Sequence, residues 1–216
     1  APKIVERSFS YLRMALKDSI EKNFPDVPPS FNELQANGRL GLALFSDTIL
    51  IYTLDDSDTS VNTLMSTLGW LFFDTIGFPD TRLRCGVSYG EATLDATNSA
   101  YVGKALVEAH ELQESQEWAG GALSPKAVKR LPSEAQTYLT LYKVPRKTQP
   151  PVETLAINWT IGLHNPGDLP GPWSINTGEP TTKDWFERPD VCRKWWNTVA
   201  FHDAVCRKCK PIQKTG

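Results

Sequence analysis

Four groups of side chains in this 216-residue chain have types and spacings that chemistry can use. Asp47 stands in Ser46-Asp47-Thr48, a short polar break between two apolar runs, Leu40 to Phe45 and Ile49 to Tyr52. Apolar and β-branched runs around such a break read as a tight hairpin. A carboxylate at its tip can take a hard divalent cation such as Mg²⁺. Aspartate is also common in tight turns because it bonds its own backbone, and taken alone Asp47 reads as a turn former. Lys143, Arg146 and Lys147 gather at a second turn. They could hold a polyphosphate by charge-assisted hydrogen bonds, or be ordinary solvated turn residues.

Cys192, His202, Cys206 and Cys209 form the third group. Steps of four and three residues from His202 to Cys206 to Cys209 would set three zinc ligands on one helical face. Yet Val191, Trp195, Val199, His202, Cys206 and Cys209 also make one continuous stripe, the pattern of core packing. In a continuous helix Cys192 lies about 15 Å from His202 at ~1.5 Å per residue, too far to share a metal, so packing is the reading adopted. The fourth group, Phe72-Phe73-Asp74-Thr75-Ile76-Gly77-Phe78, has a Phe-x-Asp-x-x-Gly-Phe form but falls at the end of an amphipathic pattern. Asp74 therefore reads as a surface or capping residue beside a glycine stop. The chain has no glycine-rich Walker loop and no Gly-x-Ser-x-Gly elbow, and its histidines (His110, His164, His202) are scattered, which disfavours histidine acid–base chemistry.

The elements that must position these groups follow from periodicity. Val5, Phe9, Leu12, Leu16 and Ile20 lie on one stripe of an amphipathic helix that ends before Phe24-Pro25. Met65, Leu68, Phe72 and Ile76 make the next helical stripe, closed by Gly77 and Pro79. Leu83 to Leu94 reads as a strand containing Gly86 and Gly90. Residues 104–118 read as a helix stopped by Gly120-Gly121, and Ser124-Pro125 starts a short one. Tyr138 to Val144 and Glu153 to Trp159 form a second hairpin. These elements make a mixed α+β domain, with helices against a largely antiparallel sheet, over residues 1–159. Five of the seven Trp and six of the sixteen Pro lie after residue 158. So many tryptophans do not suit a free linker, so residues 160–216 read as an ordered appendage packed on the core.

Composition narrows the function classes. With 40% apolar and 22% charged residues the chain is globular. A net charge of −2 argues against a nucleic-acid partner. The balance is uneven: residues 1–182 hold 15 basic and 21 acidic side chains, residues 183–216 hold 8 and 4, so the tail is a solvated basic element. No apolar run is long enough for a membrane span, the amino end lacks the pattern of a secretory signal, and four cysteines do not make a small-scaffold disulfide framework. A cytoplasmic protein with reduced thiols is the expectation.

The order of motifs says more than any one of them. Leu44-Phe45-Ser46-Asp47-Thr48-Ile49-Leu50-Ile51-Tyr52, then Arg84-Cys85-Gly86-Val87-Ser88-Tyr89-Gly90-Glu91, then Tyr101-Val102-Gly103 leading into a helix, resembles the class III nucleotidyl cyclase domain over about residues 1–159. The resemblance implies a ferredoxin-like sheet and a homodimer with shared active sites. It also implies two aspartates holding two Mg²⁺ or Mn²⁺ ions, which activate a ribose 3′-hydroxyl to attack the α-phosphate and expel pyrophosphate. Asp47 matches the second aspartate. The first belongs to an opening strand ahead of the first helix, and the chain begins at that helix, so the strand is expected upstream of Ala1 or the site is degenerate.

Ser46, Arg84, Arg146 and Lys147 are the substrate contacts that the resemblance implies. The family's Asn and Arg of the transition state would fall at Val107 and Glu111, and the Lys and Asp that read adenine at Ala43 and Ala100. Purine readout is thereby lost. Tyr142-Lys143-Val144-Pro145 and Ile157-Asn158-Trp159 look like the divergent bacterial branch that makes cyclic UMP or cyclic CMP in anti-phage signalling, with UTP or CTP as substrate. A catalytically degenerate, dimerising or nucleotide-binding regulatory module is the alternative from another class. An adenylate or guanylate cyclase with rebuilt base recognition is the third.

Overall fold

The computed structural model describes residues 39–45, 48–76, 83–95, 100–162 and 189–209. The helix expected over Val5 to Ile20 lies outside them, as do Ser46 and Asp47. The molecule is α+β, with helices on sheets that mix parallel and antiparallel pairing.

The first hairpin forms as its pattern requires. Strand β1 (Leu40–Phe45) pairs antiparallel with β2 (Thr48–Thr53), from Leu40 opposite Thr53 to Phe45 opposite Thr48. Helix α1 (Asp58–Ile76) follows and begins well before the apolar stripe that announced it. Its start is a hydrogen-bonded cap: the Ser57 hydroxyl accepts from the Ser60 amide at 3.2 Å, while Asp55 Oδ1 accepts from the Ser57 amide at 2.9 Å. The Ser57 hydroxyl also donates to Asp55 Oδ1 at 2.6 Å, and this bond, with that from the amide, holds the Asp55 carboxyl down to about 2. The early turns bury Ser60, Thr63, Ser66 and Thr67, so an apolar count could not see them. The later turns bury Met65, Leu68, Leu71 and Phe72.

Two expectations fail after α1. The single strand over Leu83 to Leu94 is broken: β3 (Arg84–Val87) ends where the Ser88 hydroxyl donates to the Ala105 carbonyl. The rest turns away into β4 (Thr93–Asp95), which pairs with β5 (Ala100–Val102) as a separate two-stranded sheet. The helix expected over 104–118 is α2 (Lys104–Ser115), and Gly120-Gly121 is no helix stop. It opens β6 (Gly120–Leu123), a fully buried strand that sequence reading missed. Glycine is required there because a Cβ on Gly120 would sit 2.8 Å from the Trp118 ring and one on Gly121 2.7 Å from Ile157.

β6 is also the element that makes the sheet less antiparallel than expected. It runs parallel to β3, Arg84 opposite Gly120 and Val87 opposite Leu123, and a parallel pair needs a crossover, here α2. After the short helix α3 (Pro125–Arg130), capped by Ser124, come β7 (Leu139–Val144) and β8 (Val152–Ile157). This second hairpin joins β6 through Ala122 and Ala156, giving the order β3-β6-β8-β7. Trp159, expected in the last strand, stands in a 3-10 turn (Trp159–Gly162).

α1 packs on both sheets: Met65, Leu68 and Phe72 share one core with Val87, Leu123 and Ile157, and Ile51 of β2 packs against it. At the far end of the chain α4 (Pro189–Cys209) buries Phe201 and Val205 in the same core. Phe201 meets Trp118 edge-on at 4.9 Å and Tyr142 at 4.9 Å, and Trp118 stacks on Tyr142 at 5.4 Å. Among the described residues no helix is long and apolar enough to cross a membrane.

The close approach of α2 to β3 sets a test. A Cβ on Gly86 would fall inside the contact radius of the Ala109 carbonyl oxygen, which belongs to rigid helix backbone. Gly86→Ala is expected to cost about 3 kcal/mol by forcing α2 off the strand. Gly69 lies inside α1 with its would-be Cβ 3.6 Å from the Tyr138 ring, an ordinary contact. Gly69→Ala should therefore gain about 0.5–1 kcal/mol from helix propensity. Urea unfolding of both variants checks the pair of opposite signs.

Candidate functional site

α2 ends at Ser115, and the last carbonyls of a helix have no donors within it. Basic groups from two other segments supply them. Arg84, at the head of β3, donates from Nη1 to the Gln116 carbonyl at 3.1 Å, and its Nη2 lies 3.2 Å from Glu114 Oε1. Lys147, in the turn of the second hairpin, gives its amide to the Ser115 carbonyl at 2.9 Å and sets Nζ 3.2 Å from Glu114 Oε2. Arg146 pairs with Gln116 in an isolated antiparallel bridge. A helix carboxyl end is a favourable place for cations, since its carbonyls carry partial negative charge.

Each oxygen of Glu114 thus serves one cation. The hydrogen bond from Lys147, and next the charge of Arg84, hold the Glu114 carboxyl below the usual range. A depressed carboxyl pKa means that these pairs are complete at neutral pH and are lost as pH falls through it. Their groups are part-exposed, at 22%, 33% and 48% for Arg84, Lys147 and Glu114, so each pair is worth under about 1 kcal/mol. Arg146 differs. Its Nε is closed off from solvent with no hydrogen-bond partner among the described residues, a buried donor that its own fold leaves without an acceptor.

The scaffold beneath is Gln116, which is fully buried. Its Nε2 donates to the Cys85 carbonyl at 2.8 Å and the Leu112 carbonyl at 3.0 Å, and its Oε1 accepts from Trp118 Nε1 at 2.7 Å. One amide therefore ties β3, α2 and the aromatic cluster together. Cys85 beside it is no nucleophile, because burial pushes its thiol up to about 12.

Of the residues singled out from sequence, Arg84, Arg146 and Lys147 come together at this point, while Lys143 is exposed on β7. Ser46 and Asp47 lie outside the described residues; Phe45 and Thr48 on either side of them are opposite each other in the hairpin. Asp74 belongs to the last turn of α1, so its Phe-x-Asp-x-x-Gly-Phe string begins in helix and not in strand. Ala43 faces Leu50 across the first hairpin and Ala100 faces Asp95 across the small one. Val107 and Glu111 are exposed on α2. His202 is buried and stacks on Trp159 at 6.0 Å, and Cys192 is half-buried. Glu114 and Gln116 went unnoticed in the sequence. The signal for them was an α2 ending at Ser115, which the misread glycine pair concealed.

No group of three or more His, Cys, Asp or Glu side chains that could hold a metal occurs among the described residues. Mg²⁺ commonly takes one or two protein carboxylates and completes its shell with water and substrate phosphate. Asp47, the residue expected to hold that ion, lies outside the described residues. Compared with family models, curated proteins and solved structures, the chain matches none.

The site's two layers should respond differently to mutation. Gln116→Ala strands the Trp118 indole N–H and the Cys85 carbonyl in the core and is expected to cost about 2–4 kcal/mol. Glu114→Gln removes only part-exposed ion pairs and should cost less than about 1 kcal/mol. Chemical denaturation of the two variants measures the difference.

Proposed function

We propose that the protein is a nucleotidyl cyclase that converts a pyrimidine nucleoside triphosphate, UTP or CTP, to its 3′,5′-cyclic monophosphate and pyrophosphate, as a second messenger in anti-phage defence. The observation that carries the reading is the meeting of Arg84 and Lys147 on Glu114 at the carboxyl end of α2, where Arg146 is bridged to Gln116 and its Nε has no acceptor among the described residues. Arg84 and Lys147 share the single carboxylate of Glu114, an arrangement of two cations that suits a polyphosphate. The sheet organisation also supports it. The first hairpin and the four-stranded sheet rest on the same helix α1 yet are not paired with each other among the described residues. An opening strand of the kind the resemblance implies would add to such edges.

In this reading Arg84, Arg146 and Lys147 hold the triphosphate by charge and hydrogen bonds, and Ser46 contacts substrate at the hairpin. Asp47 would hold Mg²⁺ or Mn²⁺, which when bound supplies Lewis-acid stabilisation of the attacking and leaving oxygens. The reaction forms a bond from the ribose 3′-oxygen to the α-phosphorus and breaks the bond from that phosphorus to the bridging oxygen. The hydroxyl proton is lost to solvent and pyrophosphate leaves. Alanine at positions 43 and 100 offers no side-chain hydrogen bond to a purine edge, which is why a pyrimidine is the substrate named. The protein is proposed to act in the cytoplasm.

One observation favours the degenerate, regulatory reading. Glu114 already occupies two of the three cations, and that carboxylate must be displaced before phosphate can take its place.

The protein, with any segment that precedes Ala1, should form cyclic UMP or cyclic CMP when given all four nucleoside triphosphates and Mn²⁺, read by mass spectrometry. Asp47→Asn should abolish turnover by orders of magnitude while leaving far-UV circular dichroism unchanged, because a hairpin-tip Asn is tolerated. Asp74→Asn should retain activity. Arg146→Ala and Lys147→Ala should raise KM for every triphosphate alike, since they contact phosphate and not base. Selective formation of cyclic AMP or cyclic GMP defeats the pyrimidine assignment, and absence of any product favours the regulatory module.

A further inference from the structure

α2 has two unlike faces. One lies on β3, close enough that the Ala109 carbonyl leaves room only for glycine at position 86. The other carries Lys104, Val107, Glu108 and Glu111 at steps of three, one and three, a single stripe of the helix. Lys104 and Glu111 are exposed, Val107 is 57% exposed, and Val102 just before the helix is 70% exposed. Together with Lys126 these residues line an open groove of about 560 Å³. Lys126 lies 3.6 Å from Glu108, so that carboxylate has its counter-charge within the chain. Lys104 at one end of the stripe and Glu111 at the other form no ion pair among the described residues, and the two valines between and beside them stay exposed.

We propose that this stripe is a contact with a second copy of the chain, two α2 helices packing antiparallel about a two-fold axis that passes between Val107 and Glu108. The order of charges selects that arrangement. Antiparallel pairing about this centre sets Lys104 opposite Glu111 of the partner subunit, and by symmetry Glu111 opposite Lys104 of the partner subunit. Val107 then covers the apolar stem of the partner's Glu108, and Val102 closes the edge. Parallel, in-register pairing would oppose lysine to lysine and glutamate to glutamate, which repels. A two-fold contact is closed, so it stops at a dimer. Confined to one helix of 12 residues and the adjoining strand end, it belongs to the small interfaces below about 1,200 Å², so association depends on concentration. The resemblance implies a homodimer with shared active sites; the stripe is read from its own charges and does not rest on the nucleotide assignment.

Sedimentation velocity at tens of micromolar protein and low salt tests it. The wild-type chain should dimerise. Lys104→Glu and Glu111→Lys should each weaken self-association by about tenfold or more, because each sets like charges at both ends of the stripe. An equimolar mixture of the two variants should associate again, since every cross-pair is then lysine with glutamate. The double variant, in which the charges are only exchanged, should dimerise like the wild type. A monomeric wild type, single variants that dimerise undiminished, or a mixture that stays monomeric although both variants keep the wild-type circular dichroism, would each overturn the proposal. Product analysis tests the cyclase reading separately, so the two can fail independently.

Discussion

The amide of Gln116 is the constraint on which the rest of the structure turns. A parallel βαβ unit must stop its helix, reverse the chain and enter a buried strand within a few residues, and the reversal leaves backbone groups out of reach of water. Here α2 ends at Ser115 and β6 begins at Gly120, and the Gln116 side chain takes up the carbonyls of Cys85 and Leu112 in between. The same side chain orients Trp118, whose ring is the floor on which Tyr142 and Phe201 pack. An apolar residue of equal size would fill the volume but leave those polar groups unpaired, so the position demands a side chain that both donates and accepts.

The carboxyl-terminal helix α4 completes the same reversal from outside. Thr198 accepts from the Ala119 amide at 2.9 Å while giving its own proton to the Lys194 carbonyl at 2.8 Å, and Asn197 donates to the Glu117 carbonyl at 2.7 Å. These are backbone groups of the connection between α2 and β6 that neither element can satisfy. The tail is therefore part of the support for the basic cluster, held by hydrogen bonds as well as by Phe201 and Val205 in the core. Its tryptophan-rich composition announced burial, yet Trp196 is 61% exposed, and among the described residues of the tail the buried ones are Thr198, Phe201, His202 and Val205.

What was legible in the sequence is what depends on short-range pattern. Both hairpins appear within a residue or two of their expected bounds, and α1 and α3 lie where their stripe and their Ser-Pro start put them. β6 escaped because Gly120-Gly121 carries the same letters whether it ends a helix or lets a strand pass under Trp118 and Ile157, and only tertiary contact separates the two. The first two turns of α1 escaped because their buried residues are serine and threonine. In the site, Arg146 and Lys147 were visible as neighbours. Their meeting with Arg84 and Glu114 was not, since it is created by the parallel register of β3 with β6 and by the bridge between Gln116 and Arg146.

The basic cluster invites two explanations, and they differ in what they ask of Arg146. Capping a helix end accounts for Arg84 and Lys147, which bind the carbonyls of Gln116 and Ser115 and share Glu114. It does not account for a guanidinium whose Nε is buried and unpaired among the described residues, because a purely structural residue at the bridge would do as well without a desolvated donor. In the proposed reading phosphate oxygens would compete with Glu114 for the two cations it holds. The carboxylate then acts as a placeholder that keeps the cations ordered in the free protein, and the cost of displacing it falls on whatever anion enters. In the proposed reading a triphosphate would carry the charge to meet that cost, where a single carboxylate ligand would not.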